Sequence, residues 1–525
     1  MVRRTRALAS AAALALMTAL AGPVSADSLQ DAIALAYQTN PTLLAQRAQQ
    51  RALDETYVQA RSGLRPSIDA SVGAAYTRNY GETSGGAIPD IPVPIDTDGD
   101  GIPDATATIP GAAFSSGGAA RETDSGSVSV GLSQVLYSGG RLAHGINAAE
   151  AAVMAGREDL RAVEQSVLQG VIQAYVDVQR DTEVLRIRQD NLGVLRRQLE
   201  EASARFEVGE ITRTDVAQAE ARLAQSESDL AAAQAQLSVS RAAYAAVIGQ
   251  APTDLEAPPP LPGVPADFDV ALDTGLVENP TLIASEYRLR GAEARVAAAR
   301  SEYLPSVGLN ASYGGSSALD EFDPFERTSL NVTANLTVPL FTGGLNRSRV
   351  AQALEEANVA QIGVEGERRE VLRSISAAYA QMVSAQSSLQ AGEEAVRAAR
   401  IAAEGVRQEA QVGLRTTLDV LNQELELRSA EVNLVTARRN EYVAQAALLA
   451  AMGRLEGANL VPSLDPYDAS ANFQRVRNRG GLPWDGAIEA IDRIAAPSIK
   501  PANDQVDAPI DQQLKSEIVR TAPSE

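Results

Sequence analysis

The sequence contains no cysteine, and this absence excludes disulfide bonds, thiol catalysis and lipid attachment through an N-terminal cysteine. Its single histidine, His144, has no second histidine and no cysteine with which to form a metal site. No Ser/His/Asp set, phosphate-binding loop or dinucleotide fingerprint is present either. The residue types therefore predict that the protein is not an enzyme and has no resident cofactor.

Aromatic residues are also scarce, at 4% of the chain, whereas alanine is abundant. A compact globular core usually requires larger side chains, but long helices packed closely side by side suit this composition. The formal net charge of −21 argues against nucleic acid as a partner, because its phosphates are repelled.

Long apolar runs are absent except at the N-terminus. Residues 1–26 begin with three arginines, continue in an apolar run and end in a small-residue cleavage site, Val24-Ser25-Ala26. The alternative, a membrane anchor, fits less well because the run is short and is ended by Gly22 and Pro23. The segment is typical of a signal peptide, which predicts an exported chain.

One pattern occurs twice along the chain. Some matches lie 239 residues apart and the later ones 204 apart, so an insertion of 35 residues stands in the first copy. The copies span residues 27–250 and 268–456, joined by a Pro-rich linker over 251–267. The matching segments are Asn40-Pro41 with Asn279-Pro280, Tyr137–Gly140 with Phe341–Gly344, and Val208-Gly209 with Val412-Gly413.

Each copy contains a proline-free stretch rich in helix-forming residues. The stretches predict helices over 141–207 and 345–411, each about 100 Å long at 1.5 Å per residue. Shorter helices are predicted to return alongside them over 212–249 and 416–453. Residues 457–525 are rich in proline and aspartate and predict a periplasmic tail that is largely disordered.

Each copy also contains a pair of predicted strands with alternating apolar and polar residues. The pairs span 66–78 with 126–136, and 306–314 with 328–338. Strands between lipid and a wet lumen alternate in this way, but so does an ordinary half-buried sheet. The export signal and the repeat favour the barrel. Because four strands cannot close one, three chains would have to share a barrel of twelve.

Both copies have the same order of elements: helix, strand pair, long helix, Val-Gly turn and helix. This duplicated order resembles that of the TolC family of outer-membrane efflux and secretion channels. Val412–Val420 is the most specific stretch, and the likeness covers roughly 28–460. The resemblance implies a mainly α fold with a membrane β-barrel. Three chains, each of two repeats, would form a long antiparallel α-helical barrel below a twelve-stranded barrel. In lacking a lipidation site and in carrying the Tyr137–Arg141 and Phe341–Gly344 motifs, the sequence resembles the branch of the family that serves type I protein secretion and drug export.

The resemblance also implies a function, a location and partners. The protein is expected to be the exit duct of a tripartite efflux or type I secretion system, as a homotrimer in the outer membrane extending into the periplasm. Its expected partners are outer-membrane lipid, a periplasmic adaptor (membrane fusion) protein and an inner-membrane ABC or proton-driven pump. The sequence does not select among protein, drug and metal as cargo.

Aspartates follow both Val-Gly turns, and two interpretations apply to them. Asp215 and Asp419 fit capping boxes with the preceding threonines, which is sufficient reason for their presence. The resemblance adds a function, because Asp419 matches an aspartate of the tunnel-entrance charge ring and Asn422 stands where a second is expected. Arg415 and Asp215 match periplasmic gate contacts, whose matching tyrosine is here Ala410. An Arg415–Asp215 pair could equally be a surface pair of little energy.

The insertion in the first copy contains an acidic stretch, Asp96–Asp104. The carboxylates of Asp96, Asp98, Asp100 and Asp104, with Gly101 at the turn, match positions of a calcium-binding loop. Position 12 of such a loop is Ala107, so the bidentate carboxylate is missing. The stretch predicts either weak calcium binding in an extracellular loop or a flexible acidic loop with none.

Two other classes of protein share some of these features. A trimeric coiled-coil surface fibre or adhesin would explain the helices and a shared barrel, but it would not require the strand pair and the Val-Gly turn to be duplicated. A periplasmic adaptor would need lipoyl-like β-segments and an inner-membrane anchor, which the sequence lacks. The exit duct therefore remains the preferred hypothesis.

Overall fold

The fold of the protein was obtained as a computed structural model that describes residues 28–79, 90–97, 103–109 and 121–501. The predicted signal peptide lies outside these ranges. No helix in the described ranges combines the length and the hydropathy that a membrane-crossing helix needs.

The first repeat begins with two helices separated at Asn40-Pro41. Asn40 caps the second helix, because its Oδ1 accepts from the backbone N–H groups of Thr42 and Leu43, and proline is tolerated in the first turn. The elements of the repeat are α1 (Leu29–Thr39), α2 (Pro41–Ser62), β1 (Ser67–Asn79), β2 (Ile91–Ile95), β3 (Ala105–Ile109), β4 (Arg121–Tyr137), α3 (Arg141–Glu207) and α4 (Arg213–Ile248).

The second repeat has the same order without the β2–β3 hairpin, which the sequence analysis did not predict and which lies in the 35-residue insertion. Asn279 caps the restart at Pro280 as Asn40 does at Pro41. Its elements are α5 (Phe268–Glu278), α6 (Pro280–Ser301), β5 (Ser306–Ala318), β6 (Thr328–Thr337), α7 (Leu345–Gln411) and α8 (Thr417–Ala451).

The four longer strands form one antiparallel sheet in the order β1-β4-β5-β6. Its register places residues of similar polarity opposite one another across all four strands. One row is apolar, Ala70, Val130, Tyr313 and Leu330. The adjacent row, on the other face, consists of serines and a glycine, Ser71, Ser129, Gly314 and Ser329. The predicted alternation therefore belongs to two faces of one continuous sheet.

The long helices α3 and α7 each contain 67 residues and pack against the shorter helices around them. The main core lies where α1, α3, α4 and the end of α8 meet, and Tyr175 and Tyr244 are fully buried in it. A second cluster, built around Ile375, repeats the arrangement for α5, α7 and α8. Both clusters lie far along the helices from the Val-Gly turns, where the hairpins bury few large apolar residues.

Residues 457–501, termed the C-terminal strap, are folded, so the prediction of a largely disordered tail is wrong for this part. The strap contains α9 (Gly457–Leu460), α10 (Ala469–Val476) and α11 (Asp485–Asp492). It packs on α2 and on the junction of β4 with α3. Phe473 packs against Tyr57 of α2, with ring centroids 4.9 Å apart and ring planes at 59°. Residues 502–525 lie outside the described ranges.

The polar residues that suggested disorder have partners on the body of the protein. Asp492 is buried and accepts from Ser138 Oγ at 2.8 Å and from the backbone N–H of Ala143 at 3.1 Å. It thereby caps α3, whose own N-cap residue, Gly140, has no side chain to do so. His144 is buried in this first turn of α3, and desolvation lowers its pKa. It thus lies at the sheet–helix junction.

Candidate duct entrance at the helix tips

The two Val-Gly turns that join the long helices to their return helices have the same conformation. Gly209 and Gly413 both adopt φ of 79°, a left-handed value that favours glycine. In the first turn the N–H of Glu210 donates to the carbonyl of Arg205, and in the second the N–H of Leu414 donates to that of Glu409, each at 2.9 Å. Both helices therefore end in a Schellman motif, which makes each tip a tight hairpin.

Each return helix then starts in a capping box, as the sequence predicts. The carboxylate of Asp215 accepts from the N–H of Thr212 at 2.9 Å, and that of Asp419 accepts from the N–H of Thr416 at 3.0 Å. These hydrogen bonds favour the charged form, so the pKa of each carboxyl lies below its ordinary value. Both residues are partly exposed, and both tips carry a fixed negative charge at neutral pH.

Arg415 has a different partner within the protomer from the one that the resemblance implied. Its Nε donates to Glu409 Oε2 at 2.8 Å, and in the described residues no ion pair joins it to Asp215. The nearby Asp419 also favours its charged form and thus contributes to raising its pKa. The pairing of Arg415 with Asp215 at the gate remains a prediction.

A hydrogen bond that sequence reasoning missed joins the two tips. Arg222 Nη2 on α4 donates to Asn422 Oδ1 on α8 at 3.1 Å. Asn422 occupies the position where the resemblance placed a second carboxylate, and here its amide oxygen connects the first repeat to the second. The two residues are 200 positions apart in the sequence, and neither belongs to a local motif that would have indicated the contact.

A buried carboxylate, also missed, holds the second hairpin together. Glu424 on α8 is 1% exposed and forms ion pairs with Arg407 on α7 and with Arg428 one turn further along α8. The equivalent positions of the first repeat have Ser203 and Ala224 in place of the two arginines. The second hairpin therefore has a buried ion pair near its turn. In the first hairpin α3 and α4 are joined further from the turn, by the hydrogen bond from Asn191 to Ser226 and by the ion pairs Arg188–Asp229 and Arg196–Glu227.

A cleft of about 450 Å³ lies between the two hairpins near their tips. Four arginines and Glu201 are among its lining residues, which makes it a basic surface on an acidic protein. Ala410, which replaces the expected gate tyrosine, lines the same cleft. The small side chain leaves this space open. The arginines are Arg197, Arg205, Arg407 and Arg415.

The acidic stretch of the insertion is only partly described. Asp104 Oδ1 accepts from the hydroxyl of Thr97 and from its backbone N–H, the latter at 3.0 Å, and these hydrogen bonds lower the pKa of the carboxyl. Asp98 and Asp100 lie outside the described residues, so the calcium loop remains a prediction. No cluster of metal-binding side chains occurs elsewhere in the described ranges.

Within the part of the chain that the structure describes, the sheet has two free edges. β1 and β6 each pair on one side only, and their apolar side chains are exposed, with Val72 at 78% and Leu330 at 70%. Unpaired backbone groups beside exposed apolar residues require a further partner.

Comparison with known proteins was consistent across sequence and structure. The family model for outer membrane efflux proteins matches residues 32–250 and 271–454. The outer membrane efflux protein BepC of Brucella suis is 30% identical over 473 residues, covering 90% of this chain and 95% of BepC. The alkaline protease secretion protein AprF of Pseudomonas aeruginosa is 28% identical, covering 58% of this chain and 64% of AprF. The solved CmeC outer membrane channel of Campylobacter jejuni shares the fold, with a TM-score of 0.67, 16% identity and coverage of 86% and 89%.

Proposed function

The chain belongs to the outer membrane efflux protein family, and we propose that three copies of it share one barrel and one tunnel. As a member of this family it is an exit duct that lies in the outer membrane and extends into the periplasm. The observation that carries this proposal is the pair of free sheet edges. β6 of one copy can pair antiparallel with β1 of the next, because β4 and β5 already pair in that orientation within one chain. Three copies then supply twelve strands, enough to enclose a duct, whereas two supply eight.

The two faces of the sheet fit this assembly. The apolar row through Val130 and Tyr313 would contact lipid, and the polar row through Ser129 would line the lumen. The long helices continue below the strands for about 100 Å, which is the reach a duct needs to cross the periplasm. The assembly would therefore open to the exterior at the sheet and to the periplasm at the Val-Gly turns.

The tips are the proposed entrance and gate. In a trimer, Asp419 recurs three times around the opening and forms a ring that attracts cations and repels anions. Arg415 is placed on the same turn, where a neighbouring copy could bring Asp215 within reach. Because Asn422 is uncharged, each chain contributes one carboxylate to the ring, that of Asp419. The preference of the ring for cations should therefore be weaker than that of a ring with two carboxylates per chain.

The proposed partners follow from the two ends of the duct. A periplasmic adaptor would dock around the helix tips, and an inner-membrane ABC or proton-driven pump would deliver cargo through it. The secretion protein AprF among the relatives is consistent with protein as one cargo class. Weak calcium binding by the acidic stretch Asp96–Asp104 would act at the outer end and is a separate proposal.

Two measurements on the full chain in detergent and in planar bilayers test the assembly and the duct. Mass measurement should give three copies per particle, and reconstituted particles should conduct ions with a preference for cations. A monomer or dimer in detergents that preserve other outer-membrane channels would contradict the shared barrel. Trimers without conductance at any voltage would contradict the duct while leaving the assembly intact.

A further inference from the structure

The two repeats produce two equivalent junctions between sheet and long helix, but only one of them is covered. At the first junction Leu136 and Tyr137 are half-buried, and the Tyr137 hydroxyl donates to the carbonyl of Ile494 in the strap at 2.9 Å. At the second junction their equivalents, Leu340 and Phe341, are 92% and 91% exposed. Two adjacent large apolar side chains are therefore left bare where the same surface in the other repeat is covered by protein.

The glycines that follow show the same difference. A Cβ atom on Gly139 would lie 2.6 Å from the Cβ of Leu304, the residue two positions before β5. A Cβ atom on Gly343, its equivalent, would have no heavy atom of the described residues within 4 Å beyond its own chain neighbours. The repeat offset of 239 makes Arg65, two positions before β1, the equivalent of Leu304. Arg65 is at the opposite edge of its own sheet, so only a second copy can bring it to Gly343.

Arg65 is already attached to the strap of its own chain. Its Nε donates to Asp485 Oδ2 at 2.9 Å, and its Nη1 donates to the carbonyl of Arg479 at 2.7 Å. Trp484, the only tryptophan of the chain, lies between Arg479 and Asp485 in the sequence and is 47% exposed. Pairing β6 of one copy with β1 of the next therefore brings residues 340–344 beside the strap segment that contains Trp484.

We infer that the strap is an intersubunit clamp, in which Trp484 of one copy packs on Leu340 and Phe341 of a second copy. This inference rests on the proposed three-copy assembly. The occupant is the second copy rather than lipid because Tyr137, the repeat equivalent of Phe341, is covered by strap. Phenylalanine lacks the hydroxyl with which Tyr137 reaches a carbonyl, so an apolar partner suits the second junction.

Cross-linking in the full chain tests which copy is bound. The chain has no cysteine, so Phe341→Cys combined with Trp484→Cys introduces the only two thiols. A short bismaleimide should then give covalent dimers and trimers on a denaturing gel. The matched control, Tyr137→Cys with Ile494→Cys, should react within one chain and stay at monomer mass. Monomer mass for the first pair, in particles shown to be trimeric, would overturn the clamp while leaving the proposed assembly standing.

Tryptophan fluorescence gives a second readout without cysteines. In trimers, Phe341→Ala should shift the emission of Trp484 to the red and increase its quenching by acrylamide. Phe325→Ala, which removes an exposed phenylalanine from the β5–β6 loop, should leave both unchanged. Strong quenching of wild-type Trp484 by brominated lipid would show that lipid covers it and would overturn the proposal. A monomeric wild-type chain would refute the assembly itself.

Discussion

Removing the charge of Asp485 should detach the strap from the body of the protein. The carboxylate pairs with Arg65, and the two side chains are only 9% and 10% exposed. Asp485→Asn keeps the shape but leaves the guanidinium buried without its counter-charge. Breaking a buried pair on one side costs about 3–5 kcal/mol. Arg65 retains its hydrogen bond to the carbonyl of Arg479, so we take the lower end, about 3 kcal/mol.

Limited proteolysis measures this loss. Trypsin can cut after Arg493 only when the strap opens, and when opening and closing are fast the cutting rate follows the open population. A loss of about 3 kcal/mol should accelerate native-state cleavage roughly a hundredfold, since 1.4 kcal/mol is a factor of ten. The control is Glu55→Gln, which removes an exposed ion pair between α2 and Arg479 of the strap. It should change the rate by less than about fivefold. Equal rates for the two variants would refute the argument that burial makes the Arg65–Asp485 pair essential.

Three further predictions concern the tips. Arg222→Ala should raise the open probability of single channels on the order of fivefold, because it removes about 1 kcal/mol of contact between the repeats. If the two residues act through one bond, Asn422→Ala should match it and the double variant should add nothing, and additive effects would contradict the link. Arg415→Ala should raise single-channel conductance in planar bilayers, and unchanged conductance would remove Arg415 from the gate. Asp419→Asn should reduce cation preference at neutral pH. Because its capping box lowers the pKa of Asp419, the wild-type preference, and the stability that this cap contributes, should be complete above the ordinary aspartate pKa and be lost only as pH falls through the lowered value. Reversal potentials measured from pH 7 to pH 3 test this, and a loss of preference already near pH 5 would contradict it.

Sequence reasoning succeeded where the deciding interactions are short in range. The capping boxes at Thr212 and Thr416 join residues three positions apart, and the Schellman turns need only a glycine at the right place. The alternation that marked the strands is likewise a property of neighbouring residues, and the duplicated order of elements identified the family.

It failed where polar residues find partners far away. The strap looked like solvated tail because Asp485 and Asp492 have no partner nearby in the chain, yet Arg65 lies 420 positions from Asp485. Arg222 and Asn422 were missed for the same reason. Glu424 and Arg407 are nearer to each other in the sequence, 17 positions apart, but this pair too joins two helices. Their partners are selected by the way the helices pack.

The sequence by itself thus determined the elements, their duplication and the two faces of the sheet, because periodicity and capping depend on neighbours within a few residues. Only the tertiary structure decided that the strap covers one junction and leaves Phe341 bare at the other. That difference arises because a single chain has one strap for two equivalent junctions, and the position of a strap depends on contacts between residues hundreds of positions apart.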